Sequence, residues 1–155
     1  MADLQDRLRQ ASSRNHELLD VLRETDYAPQ AYEQNNARIA ELQRQISKTE
    51  EDVKHYHIKT EIEREDHLKY SESVFRRYAH KLGGGKRWAT KAEKEEREFL
   101  EAWQREREAQ DALDGYRKGL QDAETKKPAL EKDNARCEDA QKELDRLYAS
   151  IFSGP

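Results

Sequence analysis

Apolar residues recur along this chain at intervals of three and four, and most positions between them are charged. In residues 3–24, Leu4, Leu8, Ala11, Leu18 and Leu22 share one helical face, which Asn15 interrupts. The pattern stops at Thr25-Asp26-Tyr27-Ala28-Pro29. Pro29 disfavours helix at Ala28 and suits the first turn of a new helix. From 29 to about 81 one heptad register holds, with Tyr32, Ile39, Ile46, Val53, Thr60, His67 and Val74 at a and Asn35, Leu42, Thr49, Tyr56, Glu63, Tyr70 and Arg77 at d. Its seam is apolar from Ile39 to Tyr56 and turns polar from Thr60 to His67. A third helix is predicted from about 89 to 150, with Phe99, Leu113 and Leu120 at a and Ala102, Ala109, Ala123, Cys137 and Leu144 at d. Its alanines let a neighbouring helix come close. Pro128 lies inside it, clashes with the carbonyl of Glu124, and predicts a bend or short break within a turn of itself.

Between the two long registers stands Leu82-Gly83-Gly84-Gly85-Lys86-Arg87-Trp88, with three of the six glycines side by side. Glycine reaches positive φ without strain, so residues 82–88 read as a reversal. The expected fold is all-α: a single domain, 1–155, forming a long antiparallel, coiled-coil-like helical hairpin with helices at about 3–24, 29–81 and 89–150. The first helix is expected to fold back at the end remote from the turn, beside Ile39–Val53 and Leu130–Leu147. Centring the turn near Gly84 and Gly85 sets Glu106 opposite Glu63 and Leu130 opposite Ile39. Thr60, Glu63, His67 and Glu106 then fall in one polar layer.

Composition sharpens this picture in two places. Charged residues make up 40% of the chain, well above the quarter typical of globular domains, so the helices are rich in surface and poor in core. The net charge is only −4, and its distribution is uneven. From Arg76 to Lys94 there are seven cations (Arg76, Arg77, Lys81, Lys86, Arg87, Lys91 and Lys94) against Glu93 alone. The single cysteine, Cys137, allows no internal disulfide and fits a reducing, cytoplasmic setting. The chain has neither an apolar run long enough to span a bilayer nor an N-terminal signal core.

Several landmarks together resemble a family of fungal coiled-coil proteins. They are Thr25-Asp26-Tyr27-Ala28-Pro29, Arg76-Arg77, Lys81-Leu82-Gly83-Gly84, Lys94-Glu95-Glu96-Arg97-Glu98-Phe99, Glu143-Leu144-Asp145-Arg146-Leu147-Tyr148 and Ser150-Ile151-Phe152-Ser153-Gly154-Pro155. The resemblance covers nearly the whole chain. It implies a helical hairpin and a native chain that continues past Pro155, and it brings no catalytic residues.

Candidate chemistry is sparse. Arg76, Arg77, Lys81, Lys86, Arg87 and Lys91, with Trp88 among them, form a basic tip suited to an acidic protein surface or anionic lipid headgroups. Nucleic acid is the less favoured partner. Gly83-Gly84-Gly85-Lys86 lacks the spacing of a phosphate-binding P-loop, and no strand precedes it. In the polar layer, Glu63 and His67 are four apart, whereas di-metal helical bundles use Glu-x-x-His, three apart. Arg64, Arg105 and water would satisfy the layer without a metal. His55 and His57 are two apart and point to different faces. Cys137 has no neighbouring base and reads as a packing residue.

No nucleophile–base pair, complete metal box or cofactor motif emerges, so the sequence reads as non-enzymatic and cofactor-free. The expected role is a self-associating scaffold that recruits an unidentified protein partner; the alternative is a peripheral module on an anionic membrane surface. A homodimer is expected because Tyr70, Val74, Phe75, Tyr78, Trp88, Phe99, Trp103, Leu113 and Tyr116 leave more apolar surface than one hairpin hides, and Tyr70, Phe99 and Trp103 are placed at its centre.

Overall fold

A computed structural model describes the backbone of residues 2–78 and 85–152 and the side chains of residues 3–68 and 93–152. The described chain is helical almost throughout: α1 spans Ala2–Thr25, α2 spans Ala28–Tyr78 and α3 spans Gly85–Phe152. No strand occurs among the described residues. The all-α class therefore holds. The start of α3 moves most. The segment 85–88, expected in the turn, belongs to the first turn of α3, which starts four residues early. None of the described glycines takes a positive φ. Gly85 begins a helix instead of reversing the chain, and helix starts accept glycine readily. Leu82, Gly83 and Gly84 lie outside the described residues.

The second correction concerns Pro128. The short break allowed for there does not occur, and α3 is helical through it. Pro128 and Glu124 are both exposed. The carbonyl that loses its donor can be met by water, so the helix survives at the cost of one backbone bond.

Packing divides the chain into two compact units, Met1–Glu41 with Leu120–Pro155, and Leu42–Gly119. In the first, the apolar stripe of α1 finds the last turns of α3. Leu18, Ala140 and Leu144 are buried together, flanked by Leu19, Val21, Leu22 and Leu147. Arg14 bridges Glu17 and Glu143. The Tyr148 hydroxyl donates to Asn15 at 3.0 Å, and Arg136 reaches Glu24 at 3.4 Å.

After a two-residue turn at Asp26 and Tyr27, the start of α2 takes over this partnership. The Tyr27 hydroxyl donates to Asp133, and the Asn35 amide donates to the Ala123 carbonyl at 2.9 Å. Partners thus descend from Tyr148 to Ala123 as the chain rises from Asn15 to Asn35. In this unit α1 and the start of α2 lie one after the other, antiparallel to α3. The expectation that α1 folds back over α2 is therefore corrected, as is the pairing of Leu130 with Ile39.

The junction explains why the chain does not reverse there. Thr25 is buried and its hydroxyl bonds the Val21 carbonyl at 2.7 Å, a contact that bends helices without ending their course. Ala28 is fully buried, and the Ala31 amide already donates to the Tyr27 carbonyl at 3.0 Å. Pro29, at the second helical position, lacks an amide hydrogen where none would be paired.

In the second unit α2 and α3 also run antiparallel. Glu50 meets Arg117 at 3.1 Å, His57 meets Glu106 at 2.7 Å, and the His67 ring stacks on Phe99 at 6.0 Å between centroids. The buried residues are small or medium: Thr49, Thr60, Ala102 and Leu113. Ile46, Val53 and Tyr56 turn inward yet are only half-buried. A pair of helices covers a side chain from one direction, so complete burial goes to residues short enough to sit between the backbones.

Candidate functional site

The predicted polar layer comes apart because the register is shifted. Glu106 meets His57, two turns before Glu63 in α2. Glu63 instead lies beside Glu95 and Glu98, and oxygens of these three half-buried carboxylates fall within 4.8 Å of one another. Thr60 is buried and spends its hydroxyl on the Tyr56 carbonyl at 2.8 Å. His67 faces a ring rather than a carboxylate, and its Nδ1 is buried without a hydrogen-bond partner among the described residues. The metal set considered from sequence, Glu63, His67 and Glu106, is therefore not assembled.

The carboxylate cluster is what sequence reasoning missed. Glu95 and Glu98 are three apart on one face of α3, so the signal was in the Lys94–Phe99 run. Their partner depended on register, which the sequence misplaced. A shallow cavity of about 310 Å³ borders the cluster, lined by Lys59, Glu63, Glu98, Glu101, Ala102 and Arg105. Partial burial raises the Glu63 carboxyl above the usual carboxylate range, the charges of Glu98, Glu95 and Asp66 raise it further, and Lys59 opposes them. Chemically this is a site of stored repulsion that a proton or a cation would relieve.

Of the expected self-association residues, Phe99 is half-buried against His67, whereas Trp103 is 45% exposed with the Arg107 guanidinium 5.1 Å from its ring centre. Leu100, one turn earlier on the same face, is 50% exposed. The side chains of Tyr70 and of the basic tip, Arg76, Arg77, Lys81, Lys86, Arg87, Trp88 and Lys91, lie outside the described residues. His57 and His55 go separate ways, the first to Glu106 and the second edge-on to Tyr56. Cys137 is free and half-buried.

Further apolar surface appears at the start of α1 and the end of α3. Leu4, Leu8, Tyr148, Ile151 and Phe152 are all substantially exposed there. An open groove of about 570 Å³ runs between Leu4, Leu8 and Ala11 on one side and Leu147 and Ile151 on the other. No helix among the described residues is long and apolar enough to cross a membrane. Comparison with family models, curated proteins and solved structures returns no match.

Proposed function

We propose that this chain is a non-enzymatic cytoplasmic scaffold that self-associates, its long helices pairing antiparallel as a hairpin. The antiparallel pairing inside each unit supports that arrangement. The observation that carries the self-association is the uncovered apolar face of α3, where Leu100 and Trp103 are half exposed. Phe99 serves as support beneath this face, and Tyr70 and Trp103 are assigned to it.

Sedimentation velocity over a concentration series tests the reading. Concentration-dependent dimerisation that Trp103→Glu weakens supports it; a monomer at every concentration, indifferent to that substitution, overturns it. The basic stretch from Arg76 to Lys91 favours a second reading, an anionic membrane or acidic protein surface as partner. Sedimentation with anionic vesicles, compared with neutral ones, decides whether the membrane is involved.

A further inference from the structure

The groove between the start of α1 and the end of α3 lies apart from the Trp103 face in sequence, and the scaffold reading does not use it. Its floor is apolar, from Leu4, Leu8, Ala11, Leu147 and Ile151, and Arg7 and Arg14 stand on its rim. Leu4 and Leu8 are 64% and 53% exposed, so α1 projects an apolar stripe that α3 does not cover.

One turn of α3 supplies a matching projection. Phe152 is 79% exposed, the most among the large apolar residues whose side chains are described, and its ring leans toward Tyr148 at 6.2 Å. Leu147 and Ile151 line the groove, whereas Tyr148 and Phe152 are each one residue on, about 100° around the helix. Phe152 is not among the residues that line the groove of its own chain. Asp145, seven residues before it, shares its face.

We propose that this end of the molecule is a two-fold contact between two copies of the chain, with Phe152 of each copy seated in the groove of the other. The inference rests on the self-association reading but not on the Trp103 face. Projection and groove belong to the same patch, which is the condition for a closed isologous contact. The charges allow it: among the described residues, Arg7 on the groove rim pairs only with exposed Asp3 at 3.7 Å, and Asp145 on the projecting face accepts only from Gln141 at 3.0 Å, so each can exchange these contacts for the other across two copies. The exposed fractions of Leu4, Leu8, Tyr148, Ile151 and Phe152 amount to roughly 500 Å² of apolar surface per chain, at the upper end of what a monomer leaves bare. Burying that surface on both copies removes about 1,000 Å², the threshold of a specific interface.

The test is sedimentation velocity of the whole chain with Phe152→Ser, Asp145→Arg and Trp103→Glu compared in parallel. Phe152 and Asp145 are exposed, so both substitutions leave the helices formed, and circular dichroism confirms it. The expected result is a rise of about tenfold in the dimer dissociation constant for Phe152→Ser. Asp145→Arg should weaken association less, with partial recovery when combined with Arg7→Asp. If Phe152→Ser leaves association unchanged while Trp103→Glu abolishes it, the groove is not a contact between copies and the scaffold reading survives alone. A wild-type chain that stays monomeric overturns both, and dye binding in the groove of that monomer would assign it to an apolar segment of another protein.

Discussion

Two glycines inside α3 give a direct measure of how closely α2 approaches it. Gly115 and Gly119 both lie in regular helix, and no described glycine has a positive φ, so alanine fits the backbone at either position. A Cβ at Gly115 would meet nothing within 4 Å. A Cβ at Gly119 would lie 3.5 Å from Leu42 Cδ2 and 3.7 Å from Cδ1, ordinary van der Waals contact. Glycine in a helix interior costs about 1 kcal/mol relative to alanine. Gly115→Ala should therefore stabilise by about 1 kcal/mol from helix propensity alone. Gly119→Ala should gain the same amount plus roughly 0.4 kcal/mol, about half the value of a fully buried methylene, from its contact with Leu42. The double variant should gain about 2–2.5 kcal/mol, or roughly 4–10 °C in melting temperature for a chain of this size. Thermal unfolding followed by far-ultraviolet circular dichroism reads the change. If Gly115→Ala stabilises and Gly119→Ala destabilises, the helices pack closer at Leu42 than a methyl group allows. If neither moves the transition, helix propensity in this stretch does not limit stability.

Three further outcomes follow from side chains on the page. Glu63→Gln should stabilise at neutral pH by removing repulsion from Glu95 and Glu98. Because the folded state holds the Glu63 proton more tightly than the unfolded state, stability is highest below the ordinary glutamate range and falls as pH rises through the raised value. The difference in melting temperature between variant and wild type should therefore grow with pH across that window, and a flat difference would refute the argument. Pro128→Ala should raise stability by up to ~3 kcal/mol, since Pro128 is exposed and restoring its amide completes the α3 ladder; a lower melting temperature would show that the proline fits a shape the helix needs. Glu106→Gln should cost less than ~1 kcal/mol, because its partner His57 is 60% exposed; a larger fall in melting stability would refute this.

Local periodicity was enough to give the helices. The Leu18 and Leu22 stripe, the alanines at Ala102 and Ala123, and the stop before Pro29 all depend on neighbours three or four residues away. A chain that writes them writes its own secondary structure. Small residues at seam positions also announced where two helices could touch, and Ala102 and Ala123 are buried. Register needed more. Heptads fix which face is inward but not which turn meets which, and sliding one helix past another by a few residues keeps leucine and alanine in contact. Such a slide took Glu106 from Glu63 to His57 and brought Glu63 to Glu98 instead. The course of α1 was likewise beyond the pattern, since an amphipathic helix shows that it needs a partner without showing where. Only packing against Ala140 and Leu144 decided that α1 carries on along α3, because there its stripe is buried while the Tyr27 and Thr25 contacts keep the chain moving forward.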